Sequence, residues 1–213
     1  MYTRDMSVII FDMDGTIADS FDYVSDFLVA QAKLAPLNDE QKRALRGLSM
    51  RDMAHKLGYH WWDAPKLFIR GRQRMKRSIQ SKHLQSFAGM PEVIRKLHNE
   101  GHELFILSTN SLRNVHHFLD DQKIHKYFLE IYAGVGVFSK APGLRQLLKE
   151  QRLTADDAVY VCDELRDIEA AQSVGVRTVA VTWGFARRGK LVAMRPTALA
   201  DTPAELMRIL EEV

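Results

Sequence analysis

Val8–Phe11 is apolar and β-branched, and the run stops abruptly at Asp12 and Asp14. "SVIIFDMD" (7–14) therefore predicts a short buried strand ending in carboxylates. From Ser20 to about Gln85 the pattern changes. "FDYVSDFLVAQAKL", "NDEQKRALRGL", "MRDMAHKLG" and "DAPKLFIRGRQRMKRSIQSKHL" all carry helical spacing, punctuated by Pro36, Gly58 and Pro65. After "SFAGM" the periods alternate. Helix "PEVIRKLHNEG" precedes strand "HELFILS", helix "LRNVHHFLDDQ" precedes the apolar "YFLEIYAGV", and helix "PGLRQLLKEQR" precedes strand "DAVYVCD". Helix "LRDIEAAQSVG" then leads into strand "VRTVAVTW". Near-continuous β-branched strands separated by helices predict a parallel sheet covered on both faces. The expected architecture is a doubly wound, Rossmann-like α/β core, residues 1–18 and 86–213, interrupted after its first strand by an all-helical insert, residues 19–85.

Composition narrows the classes. At 213 residues the chain accommodates one core and a smaller inserted module. A hydrophobic content of 46% with 27% charged residues is that of an ordinary globular protein. A formal charge of +3 is too small to imply nucleic-acid or membrane binding, and neither partner is expected. The single cysteine, Cys162, excludes an internal disulfide framework and fits a reducing compartment. It falls within an apolar strand and reads as a small inert hydrophobe. The N-terminus has no signal-peptide apolar region, and no apolar run approaches the ~20 residues of a membrane helix. A cytoplasmic location is the expectation.

In doubly wound sheets, ligands bind outside the carboxyl ends of the strands. The residues there are Asp12 and Asp14, then Ser108-Thr109-Asn110, then Asp163 with Asp167, and Lys140 in the loop before "PGLRQLL". Two carboxylates about 4 Å apart repel by about 4 kcal/mol at an effective dielectric near 20. A cation offsets that cost. An aspartate-rich site without a His or Cys cluster suits a hard ion, most plausibly Mg²⁺. Phosphoryl transfer needs an in-line nucleophile, neutralised phosphoryl oxygens and a proton for the leaving alkoxide. Asp12 suits the first role, and Asp14, two residues on, the last. Gly15 offers a close backbone N–H, Thr109 and Lys140 hold phosphoryl oxygens, and Asp163 and Asp167 hold the metal. Ser108 takes the role of Thr109 if the strand ends one residue earlier. Glu164 reads as a solvated loop carboxylate rather than a ligand.

In that order, "DMDGT" (12–16), Thr109, Lys140 and "DELRD" (163–167) resemble the four motifs of the haloacid dehalogenase superfamily, and the likeness spans most of the chain. The resemblance implies that Asp12 becomes phosphorylated, that Asp14 is the general acid and base, and that Mg²⁺ contacts Asp12, the Asp14 carbonyl and Asp163. It implies also that the helical insert is a type 1 cap and that "FAGMPEVIRKL" returns the chain to the core. Within the superfamily the chain looks most like phosphoglycolate-phosphatase-like hydrolases. Haloalkanoate dehalogenases lack the second aspartate, so Asp14 favours phosphate-ester chemistry. The implied partner is a small phosphorylated metabolite, and no oligomeric state follows.

Related caps carry a specificity loop where "LRGLSMRDM" (45–53) stands, which makes Arg46, Ser49 and Arg51 candidates for the non-reacting end of the substrate, with Asn110 beside them on the core. The basic stretch 66–82 reads as a solvated helix face, with attraction of an anionic substrate as the sharper alternative. Trp61-Trp62 reads as cap packing. Three rivals share the scaffold: a β-phosphoglucomutase-type mutase, a phosphonate hydrolase and a non-catalytic binder of phosphorylated ligands.

Overall fold

Val8, Ile9, Ile10 and Phe11 are all buried in β1 (Val8–Phe11), as a strand covered on both faces requires. The computed structural model describes residues 8–46, 48, 50–60, 63, 84–136 and 139–212, without the side chains of Arg43, Met50 and Arg51. The other strands are β2 (Glu103–Ser108), β3 (Glu130–Ala133), β4 (Ala158–Cys162), β5 (Arg177–Val181) and β6 (Ala198–Ala200). They form one sheet in the order β3-β2-β1-β4-β5-β6, with every pairing parallel. The chain winds from β1 to one edge, then restarts at β4 and winds to the other. The switch point therefore falls between β1 and β4, directly beyond Asp12 and Asp163.

The helices are α1 (Phe21–Gln31), α2 (Asp39–Leu45), α3 (Met50–Lys56), α4 (Met90–Asn99), α5 (Leu112–Asp121), α6 (Ala141–Gln151), α7 (Leu165–Gln172), α8 (Arg188–Ala193) and α9 (Pro203–Glu211). Side chains alternate across a strand, so β1 feeds two cores. Ile9 and Phe11 pack with Val93, Ile94 and Leu97 of α4 and with Phe118 of α5. Val8 and Ile10 pack with Leu144 and Leu147 of α6 and with Ile168 of α7. Polar caps start the helices where the sequence supplies them: Ser111 before α5 and Thr202 before α9 accept backbone N–H groups.

Helices α1 to α3 gather around a separate cluster of Phe21, Val24, Leu28, Leu45 and Met53, joined by Phe185 from the loop after β5. The chain enters this region and leaves it side by side. Asp19 N–H donates to the Gln85 carbonyl and Phe87 N–H to the Ile17 carbonyl, each at 2.9 Å. Ser49, Trp61-Trp62 and the basic stretch 66–82 lie outside the described residues, as does the side chain of Arg51.

Two features depart from the expectations. The first strand ends at Phe11 rather than 14, because the chain turns at Gly15 (φ 82°) after Asp12 N–H makes one last bond to the Val161 carbonyl. After "VRTVAVTW" no element was expected, yet α8, β6 and α9 follow. The three residues of β6 show no legible alternation and are held by the edge of β5. Leu206, Met207 and Leu210 of α9 face the core, a pattern that was readable behind its Thr202 cap.

Candidate active site

Lys140 is the N-cap of α6 and only 2% exposed, with its ammonium beneath the end of β1. Nζ lies 2.6 Å from Asp12 Oδ1 and 2.9 Å from Asp167 Oδ2, and donates to the Tyr160 hydroxyl at 2.8 Å. An ammonium has three donors, and these three acceptors use all of them. Burial alone would pull its pKa down, but Asp12 and Asp167 more than offset that and hold it above the ordinary lysine value. Lys140 was expected to meet phosphoryl oxygens. In this structure it instead braces two carboxylates and a phenol, because a buried ammonium needs such partners. Tyr160, on the face of β4 toward α6, was not anticipated, since nothing local distinguishes it from other buried strand residues. Burial, with Asp167 and Asp12 nearby, raises its pKa well above normal and keeps it a neutral acceptor.

Burial also dominates at Asp12. Countered by Lys140 and reinforced by Asp167 and Asp14, it pushes the carboxyl up to about 8. Asp14 is raised as well, by burial opposed chiefly by the amide of Asn110. Asn110 Nδ2 donates to Asp14 Oδ2 at 3.1 Å, and Asn110 Oδ1 accepts from Ser111 N–H at 2.9 Å and from Asn114 Nδ2 at 2.8 Å. Asn110 was expected against the substrate. Its side chain is instead held between Asp14 and the start of α5. Thr109 is half-buried one residue beyond β2, while Ser108 ends that strand, buried, with its Oγ accepting Asn110 N–H at 3.0 Å.

Asp163 is fully buried one residue past β4. Oδ1 accepts the Thr16 hydroxyl at 3.2 Å and Oδ2 the Phe185 N–H at 2.7 Å. Gly15 and Gly184 press their backbones against this carboxylate, and a Cβ at either position would collide with it. Burial, then Glu164 and Asp12, raise the Asp163 pKa well above normal. Asp167 behaves oppositely: burial works against its charge, but Lys140 and Arg166 hold its pKa below the ordinary value. Its Oδ2 is bonded to Lys140, and its Oδ1 is buried with no hydrogen-bond partner among the described residues. Glu164, expected in solvent, is 3% exposed and pairs with Arg166 Nη2 at 2.8 Å. The turn into α7 folds the Glu164 side chain inward beneath a half-buried Arg166, which a sequence window does not reveal. Cys162 is buried, and burial raises its thiol pKa far up, in keeping with an inert packing group.

Arg46 lies apart from these groups. Its guanidinium sits 4.5 Å above the Phe21 ring and 3.3 Å from Asp22 Oδ1. Phe21 in turn packs against Phe185, with ring centroids 5.9 Å apart.

The donor set fits a hard divalent ion. Asp12 and Asp163 are two buried carboxylates, the charge of Asp12 adding to the burial that raises Asp163, and the Asp14 backbone carbonyl lies on the same loop as Asp12. Among the described residues no three His, Cys, Asp or Glu side chains form a ready ligand cluster.

A sequence model of the haloacid dehalogenase-like hydrolases matches residues 9–181, which takes in all four of the motif positions. The chain belongs to this family. It is 34% identical to a phosphoglycolate phosphatase of Synechococcus elongatus over 98% of this chain and 99% of that protein. It is 24% identical to the pyrophosphatase PpaX of Bacillus cereus, covering 98% of each chain. Among solved structures, a haloacid dehalogenase-like hydrolase of Streptococcus pneumoniae superimposes with a TM-score of 0.76 at 20% identity, over 97% of this chain and 99% of that one. At that identity the likeness speaks for the fold alone. In sequence this family member is a phosphatase-type hydrolase, phosphoglycolate-phosphatase-like. Among its described residues no helix is long and apolar enough to cross a membrane.

Proposed function

We propose that this chain hydrolyses a small phosphomonoester, of the size and charge of 2-phosphoglycolate, in two phosphoryl transfers through Asp12. The observation that carries the reading is the division of labour between two neighbouring carboxyls. Asp12 is paired with Lys140 at 2.6 Å, whereas Asp14 faces an amide and no direct cation partner among the described residues. One oxygen-rich group is thereby kept for attack on phosphorus and the other for proton transfer.

In the first transfer an Asp12 oxygen bonds to phosphorus as the ester P–O bond breaks, and Asp14 gives its proton to the departing alkoxide. In the second, Asp14 accepts a proton from water as that water attacks the phosphoryl group on Asp12. Inorganic phosphate leaves and both carboxyls regain their starting states. Asp12, the Asp14 carbonyl and Asp163 are the groups that would hold Mg²⁺, which when bound supplies charge neutralisation at the phosphoryl oxygens. Thr109 would supply a further donor to those oxygens, whereas the Gly15 N–H, expected in the same role, is given to the Ala18 carbonyl at 2.9 Å in the tight turn after β1. Asp167 and Tyr160 hold Lys140 beside the nucleophile. Residues 19–85 act as a cap that excludes bulk water during transfer, and Arg46 reads the non-reacting end of the substrate.

Phosphate release from 2-phosphoglycolate, hexose phosphates, pyrophosphate, nucleotides and an aryl phosphate, with Mg²⁺ and with chelator, tests the proposal. Metal-dependent release with a preference for a small carboxylated ester is the expected result. Loss of hexose 1-phosphate without free phosphate would assign a mutase instead. No release from any substrate, with Mg²⁺ present and the protein folded, would count against catalysis.

A further inference from the structure

A backbone N–H can only donate, so Ser111 N–H determines which way the Asn110 amide faces. Asn110 Oδ1 must point toward Ser111 N–H (2.9 Å), and its NH₂ group must point toward Asp14 Oδ2 (3.1 Å). Asn114, one turn into α5, closes the arrangement by donating Nδ2 to the second lone pair of Asn110 Oδ1 at 2.8 Å. Both amides are buried, at 7% and 4% exposure. The Asn110 main chain is held too, since its carbonyl accepts Gly134 N–H at 2.7 Å. At the far end of the chain of bonds, Asp14 Oδ1 is buried with no hydrogen-bond partner among the described residues. The buried Ser20 hydroxyl lies close to the same carboxylate and helps to hold its pKa down.

A buried asparagine pair is usually just a satisfied polar contact. Here it ends on a carboxylate that is anchored at one oxygen and buried at the other. We propose that Asn114, acting through Asn110, is a positioning residue for Asp14: the two amides clamp Oδ2 and so fix the orientation of the carboxyl that protonates the leaving group. The inference rests on the reading of Asp14 as the acid that protonates that oxygen. Asn114 touches no reacting atom. Without it, Asn110 loses one of its two restraints and the acid loses its fixed angle. Misplacement on the scale of 1 Å costs on the order of a hundredfold in a proton-transfer geometry.

The test compares kcat/KM for phenyl phosphate and p-nitrophenyl phosphate, because kcat/KM reports steps only through the first transfer to Asp12. The p-nitrophenolate departs without a proton, whereas phenolate is helped by one. In Asn114→Ala and the isosteric Asn114→Asp, phenyl phosphate is expected to lose roughly tenfold to a hundredfold. p-Nitrophenyl phosphate should change several-fold less. Asn114→Asp keeps the shape of the side chain and guards against simple loss of folding, which thermal unfolding checks. Equal losses on both substrates would make Asn114 merely structural and overturn the proposal, as would no loss on either. Asp14→Ala separates the two levels of the argument. A selective loss there without one at Asn114 defeats only the positioning role. An unselective loss at Asp14 defeats the acid assignment and the positioning role with it.

Discussion

Lys140 Nζ and Asp12 Oδ1 lie 2.6 Å apart, and both side chains are nearly inaccessible to water. Removing the ammonium leaves the charged Asp167 buried without its partner and Asp12 without its donor, and breaking such a buried pair costs about 3–5 kcal/mol. Lys140→Ala is therefore expected to lower the urea midpoint strongly and to reduce kcat by at least about a hundredfold. Added Mg²⁺ should recover part of the stability. A variant with unchanged denaturation would refute the bracing role. Tyr160→Phe removes only one neutral acceptor and should cost on the order of 1 kcal/mol.

Metal-free stability should fall as pH rises. The folded-state pKa of Asp12 is about 8 against a reference of 3.8. Between those values the folded chain keeps a proton that the unfolded chain has released. Stability therefore declines with rising pH, by at most about 1.4 kcal/mol per unit from this one group. Denaturation of the chelated protein at pH 6, 7 and 8, minus the same series for Asp12→Asn, isolates the effect. Saturating Mg²⁺ should flatten it, because bound metal replaces the proton. A difference that grows more favourable with pH would contradict the assigned shift.

Asp12→Asn should fold at least as well as the parent in the absence of metal, since a neutral amide replaces a carboxyl that burial already keeps protonated and its oxygen can still accept from Lys140. Its turnover should drop by several orders of magnitude, because an amide is a poor nucleophile. Phosphate release and thermal unfolding, measured on the same preparation, decide both parts.

Gly15 has φ 82° and backs directly onto Asp163. Gly15→Ala combines left-handed strain with a collision against that carboxylate, a cost on the order of 1–3 kcal/mol. The Mg²⁺ concentration needed for half-maximal activity should rise as well. Gly184→Ala lacks the positive φ but meets the same carboxylate, so it should shift metal demand with a smaller loss of stability. Equal metal demand in all three proteins would remove Asp163 from the metal site.

Arg46 rests on Phe21 and near Asp22, both at the start of α1. Arg46→Ala is expected to raise KM for 2-phosphoglycolate about tenfold, with much less effect on an aryl phosphate. The same rise for both substrates would leave Arg46 without a specificity role.

Periodicity and spacing along the chain determined the alternation of strands and helices, the helical insert after β1 and the placement of Asp12, Asp14, Thr109 and Asp163 at strand ends. These are local properties: burial on both faces makes "VIIF" and "AVYVC" continuous apolar runs, and a parallel strand must end where its loop begins. Only the tertiary structure decided which charges meet. Lys140 and Asp167 are 27 residues apart, and Thr16 and Asp163 are 147 apart. The first pair depends on α6 and α7 packing side by side, and the second on β1 and β4 becoming neighbours across the switch point. The inward turn of Glu164, the glycine walls around Asp163 and the Asn114–Asn110–Asp14 chain arise the same way. Each is set by packing between distant segments, where burial, rather than any feature of the nearby sequence, dictates which polar groups must find one another.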